Sequence, residues 1–188
     1  MRIISGQYKK KKLLLPDQNT TRPLRDYVKE SIFNHLLHNK NINFNFEDSI
    51  ILDIFSGSGS FGIECLSRGS AKVYFIEKNI NALRILEKNI NSINSKEKSK
   101  IINKDILNIE VINLSSTKID LIFLDPPFNY ELWNELLKKI NLIKKNSPHC
   151  TIIIHQEINK NIIYDKYLDI FLQKKYGISL INFAKFKF

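Results

Sequence analysis

The sequence predicts an α/β doubly wound fold, a mostly parallel sheet with helices on both faces. Two observations predict it. Short apolar runs such as 49–55 (SIILDIF) and 118–125 (KIDLIFLD) do not alternate in polarity, which is typical of strands buried on both faces. Each run is followed by a segment with helical spacing of its apolar residues, as in βαβ units. No apolar run reaches the roughly 18 residues of a membrane span, so no membrane partner is expected.

The elements are expected in a regular order along the chain. Residues 2–8 (RIISGQY) and 11–16 (KKLLLP) predict a small β-hairpin. The spacing of apolar residues over 26–38 predicts an amphipathic helix. Two strand-like runs on either side of Gly177 predict a closing β-hairpin over 169–188. Between them we expect strands at 49–55, 72–77, 99–104, 118–125 and 150–156, with helical or intervening segments at 61–69, 81–93, 105–113 and 131–143.

The charge is concentrated at the amino terminus. The net charge is +10, and residues 1–40 contain nine Lys/Arg against three Asp/Glu. A basic segment of this kind favours a nucleic-acid partner, although a solubilising tail would have the same composition. Arginine is rare beside lysine, so the pair Arg22 and Arg25 suggests bidentate contacts to phosphate. The predicted RNA contacts are these two arginines with Lys9, Lys10, Lys11 and Lys12.

The cysteines and histidines indicate neither a disulfide framework nor a metal site. Cys65 and Cys150 lie far apart, as expected of reduced thiols in a cytoplasmic protein. His35 and His38 share a helical face without a third ligand nearby, and structural or surface roles are expected for all four histidines, including His149 and His155. We therefore expect no metal.

A glycine-rich loop follows the first central strand. Gly57, Gly59 and Gly62 are half of the six glycines, and Glu77 stands twenty residues after Gly57 at the end of the next strand. This pattern fits a cofactor with a ribose, either NAD or S-adenosylmethionine. Asp53 favours S-adenosylmethionine over NAD. A carboxylate at this position would repel the pyrophosphate of NAD, and it suits the ammonium group of S-adenosylmethionine.

The predicted cofactor site also includes Phe55 and Ser56 of the glycine loop, and Asp105. Asp105 follows the third strand, where it could accept a hydrogen bond from an adenine amino group or cap the segment that follows. The two roles are compatible.

The corner FLDPPF follows the fourth strand. Asp125 ends the strand, and Pro126 and Pro127 hold the backbone rigid and leave carbonyls that only accept hydrogen bonds. An exocyclic amine on a base is a poor nucleophile, because its lone pair is delocalised into the ring. Two fixed acceptors would hold its N–H groups and bind more strongly as the nitrogen becomes positive, while Phe128 stacks on the base. The alternative is a rigid turn without chemistry.

These motifs resemble a known family. LDIFSGSGSFGIECLSRGS, VYFIEKN and FLDPPF, with the opening RIISGQYKKKKLLLP and TRPLRDYVKESIFNHL and the closing KKYGIS, resemble the bacterial 16S rRNA (guanine(966)-N(2))-methyltransferases. The resemblance implies a Rossmann-like class I methyltransferase that uses S-adenosylmethionine and acts on 16S rRNA, in a partly assembled 30S subunit. It implies that Asp53, Gly57, Gly59, Glu77 and Asp105 hold the cofactor and that residues 125–128 hold the guanine.

Two positions depart from the family pattern. Leu24 stands where a threonine is usual, and Phe128 replaces a tyrosine, which keeps stacking and loses a phenol hydrogen bond. We expect a single globular monomer in which residues 1–40 are an RNA-binding extension and residues 41–188 the methyltransferase domain.

Four other functions fit parts of the pattern. A DNA adenine-N6 methyltransferase usually carries a target-recognition region, and a protein glutamine methyltransferase typically has Asn where this chain has Asp125. An NAD-dependent oxidoreductase needs an acid or base, and no histidine or lysine is expected near a strand end. An RNA-binding module without activity would not need both the cofactor loop and the acid-proline corner.

Overall fold

The sheet of the computed structural model has seven strands in the order β3-β2-β1-β4-β5-β7-β6. The structure describes residues 1–16, 24–109 and 117–188. Strands β1 to β5 are parallel to one another. Strand β7 lies between β5 and β6 and is antiparallel to both, and its pairing with β6 is the predicted closing hairpin. The strands are β1 Ile50–Ile54, β2 Lys72–Glu77, β3 Ser99–Asn103, β4 Leu121–Leu124, β5 Thr151–Glu157, β6 Leu168–Tyr176 and β7 Ser179–Phe186.

Within the described residues, four α-helices connect or cover these strands: α1 Asp26–His38, α2 Ser60–Ser67, α3 Ile80–Ser92 and α4 Trp133–Asn141. Over the part of the chain that the structure describes, no helix is long and apolar enough to span a bilayer. The segment 105–113 contains a 3-10 helix at Ile106–Asn108, and residues 110–116 lie outside the described part.

Two apolar cores cover the two faces of the sheet. Because successive strand residues point to opposite faces, Ile51 and Phe123 pack with α1, α2 and α3, whereas Leu52 and Leu124 pack with α4. Each fully buried side chain of this size contributes about 1.5 to 3 kcal/mol of hydrophobic stabilisation. The prediction of a mostly parallel sheet with helices on both faces is confirmed.

The amino-terminal segment differs from the predicted hairpin. Between residues 1 and 16 the structure records one isolated antiparallel bridge, Arg2 with Lys12. Backbone hydrogen bonds join the two segments of the predicted hairpin, from Ile3 N to the Lys11 carbonyl, from Lys10 N to the Ile3 carbonyl and from Leu13 N to the Met1 carbonyl. The next amides are bound by α2, where the Glu64 carboxylate accepts from Ile4 N at 2.7 Å and from Ser5 N at 2.9 Å. The hairpin is therefore shorter than predicted, because a helix side chain takes over its remaining amides.

Glu64 also anchors a buried cluster of charges. Its side chain and that of Lys29 on α1 are both fully buried, with Lys29 Nζ 3.9 Å from Glu64 Oε2. Arg68 donates from Nε to Glu64 Oε1 at 2.9 Å, and Lys29 donates to the Arg2 carbonyl at 2.9 Å. Burial lowers the pKa of Lys29, and the Glu64 charge opposes that shift. The carboxylate therefore joins the amino-terminal segment, α1 and α2.

We expect Glu64→Ala to lower the free energy of unfolding by about 3 to 5 kcal/mol, because it leaves the Lys29 ammonium buried without its counter-charge. Chemical denaturation monitored by circular dichroism measures the change. Glu87→Ala, at an exposed position on α3, is the control and should change stability by less than about 0.5 kcal/mol. A loss below about 1 kcal/mol for Glu64→Ala would contradict the anchoring role.

Candidate active site

The parallel register brings four polar side chains to one edge of the sheet. Ile54 pairs with Leu124 and Leu124 with Ile154, so β1 and β4 end at the same level and β5 continues past it to Glu157. Asp53, Glu77, Asp125 and His155 line one cavity of about 430 Å³ at this edge. A cavity of this volume is in the range that binds small ligands and cofactors.

The glycine loop turns sharply between β1 and α2. Phe55, Gly57 and Gly59 have φ values of +61°, +54° and +78°, and the positive φ of Phe55 ends the strand. A Cβ on Gly59 would lie 2.3 Å from Leu86 Cδ1, so no larger residue fits there. At Gly57 the nearest atom to an added Cβ is the Phe55 carbonyl at 4.0 Å, which leaves open space on the cavity side.

Glu77 holds this loop in place. Its Oε2 accepts from Gly57 N at 2.8 Å, and its Oε1 accepts from Lys78 N at 2.9 Å and Asn79 N at 2.8 Å. A carboxylate has about four acceptor positions, so these three bonds leave room for one more donor. The predicted contact with ribose hydroxyls stays a prediction, and the structure adds a positioning role that the sequence analysis did not include.

Asp53 is buried beneath the loop, with 1% of its surface exposed. Burial raises the pKa of its carboxyl to about 8; the hydrogen bond from Gly62 N, 3.0 Å from Oδ2, opposes this, and the charges of Asp125 and Glu77 add to it. A cationic ligand group would favour the ionised form. The predicted preference of Asp53 for an ammonium group is consistent with this environment and stays a prediction.

Two buried hydroxyls in the cavity wall have no partner among the described residues: Ser56 Oγ and Tyr130 Oη. Burial raises the pKa of Tyr130 to about 12, with smaller contributions from Asp105 and Glu135, so the phenol stays protonated. Because buried polar atoms are nearly always hydrogen-bonded, these two hydroxyls indicate where a polar ligand completes the site. Tyr130 contacts Phe55 edge to face at 5.2 Å and was missed by the sequence analysis.

Asp105 does not line the cavity, but it contacts Lys78, which does. It caps the 3-10 helix by accepting from Leu107 N at 3.0 Å, and it accepts from Lys78 Nζ at 2.8 Å. Partial burial raises the pKa of Asp105, but the hydrogen bonds from Lys78 and Leu107 and the charge of Lys78 outweigh it, so the net pKa is lowered. The capping role is confirmed, and the adenine contact stays a prediction.

The corner at residues 125–128 faces the glycine loop across the cavity, and all four of its residues line it. Pro126 is buried and Pro127 exposed. One expectation needs correction: the Pro127 carbonyl accepts from Tyr130 N at 2.8 Å and closes a turn. In residues 1–16, 24–109 and 117–188 no hydrogen-bond donor to the Pro126 carbonyl is recorded, so Pro126 provides the available backbone acceptor.

His155 is the residue that the sequence analysis placed wrongly. It lies in β5, it is buried, and its Nδ1 is 2.7 Å from Asp125 Oδ1. The expectation that no histidine stands near a strand end is therefore wrong. The signal was present, since His155 is a polar residue near the carboxyl end of an apolar run.

That correction removes one argument against an NAD-dependent oxidoreductase, but the electrostatic argument stands. The carboxylates of Glu77 and Asp125 border the cavity and would repel a pyrophosphate, and Asp53 adds to this repulsion when it is ionised. Both ring nitrogens of His155 have partners, Asp125 and Ser179. Within the described ranges no group of three or more His, Cys, Asp or Glu side chains could hold a metal ion.

The amino-terminal segment forms one wall of the cavity through Met1, Pro16 and Leu24. Asn89 on α3 fixes the segment beside the loop: its Oδ1 accepts from Leu14 N at 2.8 Å, and its Nδ2 donates to the Leu14 and Ser58 carbonyls at 3.0 and 2.9 Å. Leu24 is buried, so its apolar side chain serves packing where the family pattern has a hydroxyl.

The predicted RNA contacts lie in two places. Arg25 is exposed beside Leu24 at the cavity wall, and Arg22 lies outside the described residues. Lys9 to Lys12 are exposed on a turn that packs against the carboxyl ends of α2 and α3, where Gln7 N donates to the Ser67 carbonyl and Lys11 Nζ to the Ser92 carbonyl. The turn connects directly to the cavity wall, because the Leu13 amide that follows it donates to the Met1 carbonyl at 3.2 Å and Met1 lines the cavity.

Comparisons with known proteins cover nearly the whole chain. A family model described as Conserved hypothetical protein 95 matches residues 1–185. A Haemophilus influenzae protein named Ribosomal RNA small subunit methyltransferase D is 32% identical over 182 residues, covering 95% of this chain and 90% of the relative. The Escherichia coli K12 protein of that name is 30% identical over 165 residues, covering 86% and 77%.

Solved structures of other proteins have the same fold over nearly the whole chain. The yhhF chain of Escherichia coli aligns with a TM-score of 0.79 at 25% identity and covers 100% of this chain and 98% of its own. A chain from Haemophilus influenzae aligns with a TM-score of 0.72 at 28% identity, covering 98% and 97%. The predicted Rossmann-like class I methyltransferase fold is confirmed.

The raised pKa of Asp53 makes stability depend on pH. The folded protein holds this proton up to about pH 8, whereas an unfolded aspartate releases it near pH 4. The contribution is therefore complete below about pH 4 and is lost as pH rises through about 8. We expect the stability difference between the unmodified protein and Asp53→Asn to fall across this range, by an amount on the order of several kcal/mol.

Urea denaturation at a series of pH values measures this difference. Asp169→Asn, the same substitution at an exposed position on β6, is the control. A constant difference for Asp53→Asn would contradict the raised pKa.

Proposed function

The chain belongs to the Conserved hypothetical protein 95 family, and on that basis we propose that it transfers a methyl group from S-adenosylmethionine to the N2 amine of a guanine in 16S rRNA. The observation that carries the proposal is the position of Asp125, Pro126 and Phe128 on the same cavity as Asp53 and the glycine loop. Two relatives bear the name Ribosomal RNA small subunit methyltransferase D, which supports an rRNA substrate.

The residues on the loop side fit S-adenosylmethionine. When bound, this cofactor supplies a methyl group on a sulfonium, so that an amine can attack the carbon with sulfur as the leaving group. The buried Asp53 carboxyl suits its ammonium group, and Glu77 has one acceptor position left for a ribose hydroxyl. The unpartnered hydroxyls of Ser56 and Tyr130 offer further hydrogen bonds to a polar ligand.

The corner on the opposite side suits an exocyclic amine. Asp125 uses Oδ1 for His155, and within the described part of the chain its Oδ2 has no recorded partner. Oδ2 and the Pro126 carbonyl are thus two acceptors for the two N–H groups of an amine. As the N–C bond forms the nitrogen becomes positive, both hydrogen bonds strengthen, and the nitrogen then loses a proton to Asp125 or to water.

The ring of Phe128 provides a stacking surface for the base, worth about 1 to 3 kcal/mol in single-strand binding. Phe128 is partly exposed at the cavity edge, and it contacts the His155 ring. A base that enters such a site must leave its own stack, which a loop or a partly assembled 30S subunit permits more readily than a continuous helix.

The extension at residues 1–40 supplies the basic residues for RNA binding in this proposal, and residues 41–188 supply most of the cavity. Arg25 is placed for a phosphate near the target base, and the Lys9 to Lys12 turn for further phosphates of the same RNA. An A-form RNA element can reach both positions, so the two basic regions are compatible with one substrate.

Mapping of N2-methylguanine in 16S rRNA tests the activity directly. We expect the modified nucleotide in cells that carry the gene and an unmodified guanine at that position in cells that lack it. Purified enzyme incubated with S-adenosylmethionine and either naked 16S rRNA or 30S subunits from the deletion strain identifies the physical substrate. If neither RNA gains N2-methylguanine, the proposal is wrong.

We expect Asp125→Ala to lower kcat by at least about 100-fold, because it removes an acceptor whose hydrogen bond strengthens in the transition state. Cofactor binding, measured by calorimetry, should be retained, since Asp125 lies on the amine side of the cavity. Asp169→Ala is the matched control on β6 and should be fully active. Loss of cofactor binding with retained turnover in Asp125→Ala would refute the assigned role.

Removing the charges of Lys9 to Lys12 should weaken binding to 16S rRNA and reduce its dependence on salt. Each lost phosphate contact should lower the slope of log K against log salt by about 0.7 to 0.9. Filter binding at several potassium concentrations measures it. A control with the same charge change replaces four exposed lysines elsewhere by glutamine: Lys88, Lys96, Lys98 and Lys138. An equal slope in both variants would assign the amino-terminal lysines to solubility.

A further inference from the structure

His155 is a buried imidazole with both ring nitrogens engaged. Nδ1 lies 2.7 Å from Asp125 Oδ1, and Nε2 lies 2.9 Å from Ser179 Oγ. Only 6% of the residue is exposed, and β5 pairs with β7 around it. The imidazole therefore stands as a fixed link between the carboxylate at the end of β4 and the first residue of β7.

The proton positions along this link follow from donor and acceptor rules. An ionised carboxylate only accepts, so the Nδ1 next to Asp125 must carry a hydrogen. The Ser179 hydroxyl can donate to a neutral Nε2 or accept from a protonated one. The link is thus complete in either charge state of the ring, and it occupies Asp125 Oδ1 in both.

His155 also contacts the stacking residue of the same corner. Its ring lies 5.4 Å from the Phe128 ring at an interplanar angle of 80°, an edge-to-face arrangement. One buried side chain thus contacts both the carboxylate that accepts hydrogen bonds from the amine and the ring that stacks on the base. The two prolines set the backbone of the corner, but they do not set the rotamer of Asp125 or of Phe128.

We infer that His155, held by Ser179, is a positioning residue for methyl transfer: it fixes the Asp125 carboxylate with Oδ2 towards the amine and fixes the Phe128 ring relative to it. This inference rests on the proposed function. Misplacing a reacting group by about 1 Å can lower a rate about 100-fold, so a buttress of this kind affects kcat more than ligand binding.

Four variants at two positions test the inference in the full-length chain. We expect His155→Ala to lower kcat about 10- to 100-fold with the affinity for S-adenosylmethionine unchanged. His155→Asn keeps an amide N–H near the position of Nδ1 and should recover about 5-fold or more of that loss. Ser179→Ala should lower kcat about 3- to 10-fold, and Ser179→Thr, which keeps the hydroxyl, should restore it.

The readouts separate positioning from a merely structural role. Steady-state kinetics give kcat and KM for RNA, calorimetry gives cofactor affinity, and thermal melting gives stability. His35→Ala is the control, since that ring contacts Phe183 in the core between α1 and the sheet. If His155→Ala does not fold, the Ser179 pair carries the test, because removing one oxygen creates little space.

Each outcome has one meaning. A loss of kcat in His155→Ala or Ser179→Ala with partial recovery in the Asn or Thr variant supports the inference. Turnover within about 2-fold of the unmodified enzyme in all four variants, or equal loss in Ala and Asn variants, overturns the inference and leaves the proposed function intact. If the unmodified enzyme makes no N2-methylguanine, the proposed function is overturned and the inference with it.

Discussion

The site depends on one constraint, the parallel register of β1, β2, β4 and β5. Because these strands are paired in parallel, their carboxyl ends lie at one edge, and residues from distant parts of the sequence meet there. Asp53 and Asp125 are 72 positions apart in the sequence but share one cavity. A shift of one residue in any strand would turn its side chains to the other face, so its polar residue would no longer line the cavity.

Buried carboxylates hold the backbone at and near the site. Asp53 binds the amide of Gly62, Glu77 binds three amides at and after the loop, and Glu64 binds two amides of the amino-terminal segment. Such fixed acceptors rigidify a loop whose φ values are unusual for most residues. The carboxylates of Glu77 and Asp125 also make the cavity electronegative, which suits a cationic cofactor and opposes a phosphate-bearing one.

The amino-terminal segment has two functions in the fold that its basic composition conceals. It completes one wall of the cavity, and its amides donate hydrogen bonds to Glu64 on α2 and Asn89 on α3. A solubilising tail would not need such contacts. The segment is therefore part of the same body as the site.

The sequence by itself determined the fold class, the order of the elements, the glycine loop and the acid-proline corner, because these depend on local periodicity, on strand termini and on residues with special backbone geometry. Only the tertiary structure decided which groups face the cavity. The tertiary structure places His155 and Tyr130 at the cavity, engages the Pro127 carbonyl in a turn, and shortens the amino-terminal hairpin through contacts to Glu64. The physical reason is that hydrogen-bond partners and burial arise from strand pairing and packing between distant segments, which no local pattern encodes.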